Sequence, residues 1–348
     1  VTEQTPAEAS PEQTPAEASP EQIGPAFDEL RSAARVVALP MRVRFRGITV
    51  REVLLVRGPA GWGEFAPFPE YGDAESAAWL RSAIESAWVG PPPPRRTSIE
   101  VNATVPAVPA EQVPQILARF PGARTAKVKV AERGQALADD VARVAAVREY
   151  VDHVRVDANG GWTVDEALTA LTALTEGGEL QYAEQPCATV PELVELRRRL
   201  AERGRRVPIA ADESIRRADD PLRVVRAGAA DVAVVKVAPL GGTRALLGLA
   251  DELAGYGARV VVSSALDSAV GIATGLAAAA ALPTLDLACG LGTGGLFEAD
   301  VAPPLPLSGG ELAVTAVTPD EDRLAALAAS PERTAWWLDR MARCHALL

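Results

Sequence analysis

The chain has 348 residues, 48% of them hydrophobic and 23% charged, with a formal net charge of −11. This is enough chain for one large α/β domain and a smaller one, the composition is that of a folded body, and the acidic balance argues against nucleic acid as the main partner. Three widely spaced cysteines with no Cys-x-x-Cys argue against a disulfide framework or a cysteine zinc site, and no basic-then-apolar leader is visible, so a cytoplasmic setting is expected.

Residues 3–11 recur identically at 12–20. A tract so rich in Pro, Glu and Ser cannot bury an apolar face, which predicts a disordered tail over 1–23. Order is expected from about Phe27. The β-branched segment 42–56, the break at Gly58-Pro59 and the resumption Gly61-Trp62-Gly63-Glu64-Phe65 read as antiparallel strands of a small α+β domain over 24–98. Asp73 is expected to cap a helix running to about Trp88, and the proline run 91–94 reads as a stiff linker ending this domain.

From residue 99 the pattern changes. Eight apolar runs, at 99–105, 126–130, 154–158, 180–184, 207–211, 232–237, 259–263 and 285–289, alternate with amphipathic stretches. Continuous apolar strands followed by helices imply a parallel sheet covered by helices, and eight such units over 99–302 point to a closed (β/α)8 barrel, with an open doubly wound sheet as the alternative. The alanine-rich stretch 269–282 is interrupted by glycine and bounded by proline, and reads as a buried helix rather than a membrane span. A strand at 311–317 and helices at 320–329 and 331–347 are expected in a C-terminal segment, 303–348, that packs on the N-terminal domain with Trp336 and Trp337 as packing residues.

Five charged residues end five successive runs: Lys129, Asp157, Glu184, Asp212 and Lys236, at steps of 28, 27, 28 and 24. Each step is about one strand–helix unit, so the charges read as one site assembled from many strands. Any one carboxylate alone could be a helix N-cap or a surface ion pair. Three in register would converge and repel, and a hard divalent cation with oxygen ligands relieves that, Mg²⁺ suiting a site of few carboxylates. Lys127, two residues before Lys129, shares its face of the strand. Burial and a like-charged neighbour are both expected to push a lysine pKa down, towards a usable base. Lys236 lies in an apolar strand opposite Lys129 if the barrel closes. With only His153 and His345 present, both poorly placed, acid–base chemistry falls to lysine or carboxylate. Asn159 is a candidate for contacting substrate or a metal-bound water. Glu213 should face away from Asp212 if the strand continues, supporting the ligands from behind. Ser263 and Ser264 end the seventh run, and Gly292-Thr293 follow the eighth; hydroxyls and backbone amides there could hold a substrate carboxylate. Neither a P-loop nor a Gly-x-Ser-x-Gly elbow occurs.

Together, Lys127-Val-Lys129, Asp157-Ala-Asn159, Glu184-Gln-Pro186, Asp212-Glu213-Ser214 and Lys236 resemble the enolase superfamily, specifically its muconate-lactonising subgroup, over about residues 27–348. Residues 38–47, 61–68 and 263–271 are most similar to the actinobacterial o-succinylbenzoate synthase family. The resemblance implies a TIM-like barrel with an α+β capping domain built from both termini. It implies Mg²⁺, with Mn²⁺ as a substitute, held by Asp157, Glu184 and Asp212. It further implies a small carboxylate substrate, with loss of water from 2-succinyl-6-hydroxy-2,4-cyclohexadiene-1-carboxylate in menaquinone biosynthesis. In that scheme Lys129 takes the α-proton, Lys236 stabilises the enediolate from the other face, and Lys127 lowers the pKa of Lys129. Racemisation of N-succinylamino acids and muconate cycloisomerisation stay open as alternatives, as does a non-catalytic barrel. Dipeptide epimerisation is disfavoured because Asp286-Leu-Ala288 lacks a second Asp. A monomer or small homo-oligomer is expected, with no membrane or nucleic-acid partner.

Overall fold

The computed structural model describes residues 24–45, 47–216 and 220–348. The repeat tail assigned to 1–23, and Arg46, lie outside the described residues. Three antiparallel strands, β1 (Ala34–Phe45), β2 (Ile48–Gly58) and β3 (Gly61–Phe65), form a sheet in that order. Val53, Leu54, Leu55 and Val56 are all buried. Successive strand residues point to opposite faces, so this sheet is covered on both sides. The helix expected from Asp73 is an α-helix only over Asp73–Ile84 and widens into a π turn at Glu85–Val89. It is capped from Gly72, and the Asp73 carboxylate instead accepts from Arg343 Nε at 2.7 Å.

The second layer begins with β4 (Ser98–Glu100) and β5 (Ala103–Val105). It continues through β6 (Thr125–Lys129), β7 (His153–Asp157), β8 (Tyr182–Glu184), β9 (Ile209–Ala211), β10 (Val232–Val235) and β11 (Arg259–Val262). From β5 to β11 each strand pairs in parallel with its chain neighbour. The strands are nearly all apolar because helices cover one side and the barrel interior the other. The alanine-rich stretch is the helix Ala269–Ala281, with Leu276 and Ala278–Ala280 fully buried. No helix among the described residues is long and apolar enough to cross a membrane.

The barrel strands also differ from the sequence reading. The eighth run, 285–289, is not a regular strand. The ring closes through isolated bridges, Val101 to Cys289 and Ser263 to Gly290, with Cys289 N donating to Glu100 O at 2.7 Å and Gly290 N to Val262 O at 2.8 Å. Gly290 makes this possible, since a Cβ there would lie 2.5 Å from Ser263 Oγ. The first run, 99–105, is split between β4 and β5. β4 pairs antiparallel with β12 (Glu311–Ala313), so the C-terminal strand joins the barrel rather than the N-terminal domain. Leu312, 5% exposed, packs into the barrel core.

The last helix, Pro331–His345, does pack on the N-terminal domain. Arg333 and Trp337 Nε1 both donate to the Glu52 carboxylate, and Arg340 donates to the carbonyls of Phe68 and Tyr71. Trp337, Met341, Phe65, Trp79 and Leu80 share one buried cluster. The fold is therefore a (β/α)8-type barrel under an α+β cap made from both ends of the chain.

Candidate active site

Strand register assembles the site. Lys129 is paired with Asp157, and Asp157 with Glu184, so the three side chains stand at one level on β6, β7 and β8. Asp212 follows the end of β9 and Lys236 the end of β10. All five charges sit at the C-terminal rim of the barrel, where its loops gather.

The carboxylates are almost completely enclosed, Asp157 and Glu184 each 1% exposed and Asp212 4%. Lysines neutralise them. Lys127 Nζ donates to Glu184 Oε1 at 2.9 Å and Oε2 at 3.0 Å and lies 3.1 Å from Asp157 Oδ2. Lys129 Nζ donates to Asp157 Oδ2 and Asn159 Oδ1, both at 2.6 Å. Lys236 Nζ donates to Asp212 Oδ1. Sequence reasoning expected a depressed lysine pKa. At Lys127 burial does act downward, but Glu184 and Asp157 outweigh it and hold the ammonium well above its usual value. Asp157 is the mirror case: burial raises it, and Lys129 and Lys127 pull it well below the carboxylate range. Burial pushes Glu184 up to about 7, with Asp157 and Asp212 adding to the push against Lys127 and Lys236.

A cavity of about 60 Å³ opens above these groups. Lys127, Lys129, Asn159, Asp212, Glu213, Lys236, Ser263, Ser264 and Thr293 line it. Ser264 Oγ and Thr293 Oγ1 are 2.6 Å apart, joining the seventh and eighth units at its wall. Asp157 and Glu184 lie beneath the lysines rather than on the cavity surface. Gly292 does not line it either, and packs against Asn102 O and the Phe120 ring. Glu213 departs from the expectation that it faces away. β9 stops at Ala211 and a helix starts at Glu213, so strand alternation no longer applies; Glu213 turns into the cavity, where its Oε1 accepts from Asn159 Nδ2 at 3.3 Å. Gln185 works from below, its Oε1 accepting from the backbone N–H of Asp212 and of Ser214, each at 3.2 Å. Thr104, Ala265, Leu266 and Gly290 also line the cavity and were not singled out from the sequence. Thr104 is the β5 neighbour of Lys127 in register, a pairing that only the structure shows.

Among the described residues no three acidic, histidine or cysteine side chains are grouped so as to enclose a metal, and Lys127 stands between Asp157 and Glu184. The donors nonetheless suit a hard cation: buried oxygens on or just past the ends of three adjacent strands, and one carboxyl raised by burial and by its acidic neighbours.

A barrel of this kind, capped by an α+β layer and carrying acids and lysines at its rim, defines a class that comparison with other proteins identifies. Residues 110–320 match the enolase C-terminal domain-like family and residues 36–87 the enolase N-terminal domain-like family. The o-succinylbenzoate synthase of Mycobacterium tuberculosis is 65% identical over 324 residues, 93% of this chain and 97% of that protein. That of Mycobacterium ulcerans is 64% identical over 326 residues, with the same coverage of 93% and 97%. Among solved structures, muconate lactonizing enzyme from Pseudomonas putida superposes with a TM-score of 0.69 at 24% identity, over 85% of this chain and 98% of that one. The 2-chloromuconate cycloisomerase from Rhodococcus opacus gives 0.71 at 24% identity, over 85% and 98%. The chain belongs to the enolase superfamily and, within it, to the o-succinylbenzoate synthase family.

Proposed function

We propose that the chain is a divalent-metal-dependent dehydratase that converts 2-succinyl-6-hydroxy-2,4-cyclohexadiene-1-carboxylate to o-succinylbenzoate, a carbon–oxygen lyase of menaquinone biosynthesis acting in the cytoplasm. The observation that carries this reading is a single cavity lined by Lys129 on β6 and Lys236 at the end of β10, with Asp212 beside Lys236 and the buried Asp157 beneath Lys129. The near full-length identity to proteins of that name supports it.

Asp157, Glu184 and Asp212 would hold Mg²⁺, with Mn²⁺ as a substitute. When bound, the ion supplies Lewis-acid stabilisation to the substrate carboxylate. Lys129 removes the proton on the carbon next to that carboxylate, and the electron pair passes into an enediolate. Lys236, entering from the other side of the cavity, holds the charge that builds there. As the carboxylate re-forms, a ring double bond is completed and hydroxide leaves from the adjacent carbon. Lys129 returns the proton to it, so water departs and the ring becomes aromatic. Lys127 keeps Lys129 in place through their shared contact with Asp157. Ser263, Ser264 and Thr293 supply hydroxyls to the substrate at the far wall, and Asn159 and Glu213 border the Lys129 side.

The test compares rates on the cyclohexadiene substrate and on N-succinylamino acids. A dehydration rate far above any racemisation is expected; racemisation without dehydration would reverse the assignment. Racemisation is retained as a second reading because Lys129 and Lys236 line one cavity from opposite sides, the arrangement two opposed bases require.

A further inference from the structure

One wall of the active-site cavity is the loop 263–268 between β11 and the helix Ala269–Ala281. Leu266, in its middle, has φ 59°, a left-handed conformation costly for a branched residue. Such a turn persists only when its surroundings impose it. Here the cap does so. Arg51, on β2 and 1% exposed, donates through Nε to Leu266 O at 3.2 Å and through Nη2 to Ala265 O at 3.4 Å. The same Nη2 reaches Ala66 O, and the guanidinium stacks on the Phe68 ring, 4.3 Å from its centroid, so it is pinned on the cap side. Glu64, on β3, accepts from Ser268 N at 3.0 Å, Ser268 Oγ at 2.5 Å and Gly271 N at 3.1 Å. Gly271 leaves room for this approach, since a Cβ there would lie 2.8 Å from Glu64 Oε2. Asp267 closes the turn from within by accepting from Ala265 N at 3.2 Å. Behind the loop lies a second cavity of about 20 Å³, lined by Glu64, Trp79, Ser263, Asp267 and Gly271.

We infer that Arg51 and Glu64 are positioning residues by which the cap sets the shape of the substrate wall formed by loop 263–268. Neither lines the active-site cavity, so both act through the loop, Arg51 on its carbonyls and Glu64 on the amide and hydroxyl of Ser268. Their loss should weaken substrate capture while leaving the lysines and acids of β6–β10 in place. The inference rests on the dehydratase reading for its kinetic part only.

The experiment uses the full chain carrying Arg51→Met, Glu64→Ala, Glu64→Gln or Ser268→Ala. Arg51→Met and Glu64→Ala should raise KM about tenfold or more with kcat within about threefold, because misplacing a binding wall costs capture before chemistry. Glu64→Gln, which keeps an acceptor of the same size, should recover most of the loss. Ser268→Ala, which removes one hydroxyl and is expected to fold whatever the fate of the larger changes, should raise KM by about threefold. Amide hydrogen exchange at 264–268 should accelerate in the same order while the barrel strands stay protected. Unchanged KM and unchanged exchange, with only a lower melting temperature, would overturn the inference. If the wild type fails to dehydrate the substrate, the dehydratase reading falls and the exchange pattern alone decides the role of the loop.

Discussion

Lys127 donates to both carboxylate oxygens of Glu184, at 2.9 and 3.0 Å, in a contact that leaves Glu184 1% exposed. Three acids and three lysines thus pair with one another at the rim of the barrel. Removing one partner of a buried charge pair leaves the other uncompensated. Lys127→Met should therefore destabilise metal-free protein by about 3 kcal/mol. A cation held as proposed would compensate the same acids, so the loss should shrink when Mg²⁺ is present. Urea unfolding in EDTA and in excess Mg²⁺ measures both; an equal loss in the two conditions would contradict a shared site.

Lys129→Ala should lower kcat for dehydration by about 10³-fold, within the range for losing a general acid–base group. Binding of o-succinylbenzoate, whose benzoate carboxylate stands on an aromatic carbon with no proton for Lys129 to take, should change little. Steady-state kinetics and a fluorescence titration with the product separate the two effects. Near-normal turnover would remove Lys129 from the proton-transfer step.

Chelation should abolish activity, and Mg²⁺ or Mn²⁺ should restore it. Calorimetric titration of metal-free protein should show a saturable site that Glu184→Gln and Asp212→Asn each eliminate, with proton release accompanying binding. Full activity after exhaustive EDTA treatment would be incompatible with this site.

Burial raises Glu64 to about 8, and the neighbouring Asp267 and Asp300 add to the rise against Arg51 and the Ser268 hydroxyl. An ordinary glutamate titrates near 4.5. Across the interval between these values the folded chain keeps a proton that the unfolded chain releases. Stability should then fall as pH rises through that window, by at most about 1.4 kcal/mol per pH unit from this group, and level off above it. Glu64→Gln should remove that component of the slope. Thermal melts of the two proteins from pH 5 to about pH 9 give the difference directly; parallel curves would mean Glu64 is ionised throughout.

The rim charges were legible because strand–helix units have a nearly fixed length and because charged residues at the ends of apolar runs are conspicuous. Lys129, Asp157 and Glu184 are in fact register neighbours. Less visible was anything set by contacts distant in sequence. Leu266 is an ordinary apolar residue until Arg51, 215 positions away, fixes its carbonyl. The eighth run closes the ring through isolated bridges, too few for periodicity to define a strand. The β4–β12 pair joins segments from either end of the barrel, and only the three-dimensional path brings Ser98 opposite Ala313. Glu213 was misdirected because the last residue of a strand of only three cannot be read from pattern alone.

The cap's dependence on the helix Pro331–His345 has a consequence for biosynthesis. Glu52, Phe68 and Tyr71 wait for Arg333, Trp337 and Arg340, which are synthesised after every strand of the barrel. The barrel strands emerge earlier and can pair with their neighbours in order of synthesis. A nascent chain stalled short of residue 331 would hold every lysine and acid of the rim, yet lack the finished cap from which Arg51 and Glu64 brace the substrate wall. Catalytic competence should follow the emergence of the helix Pro331–His345.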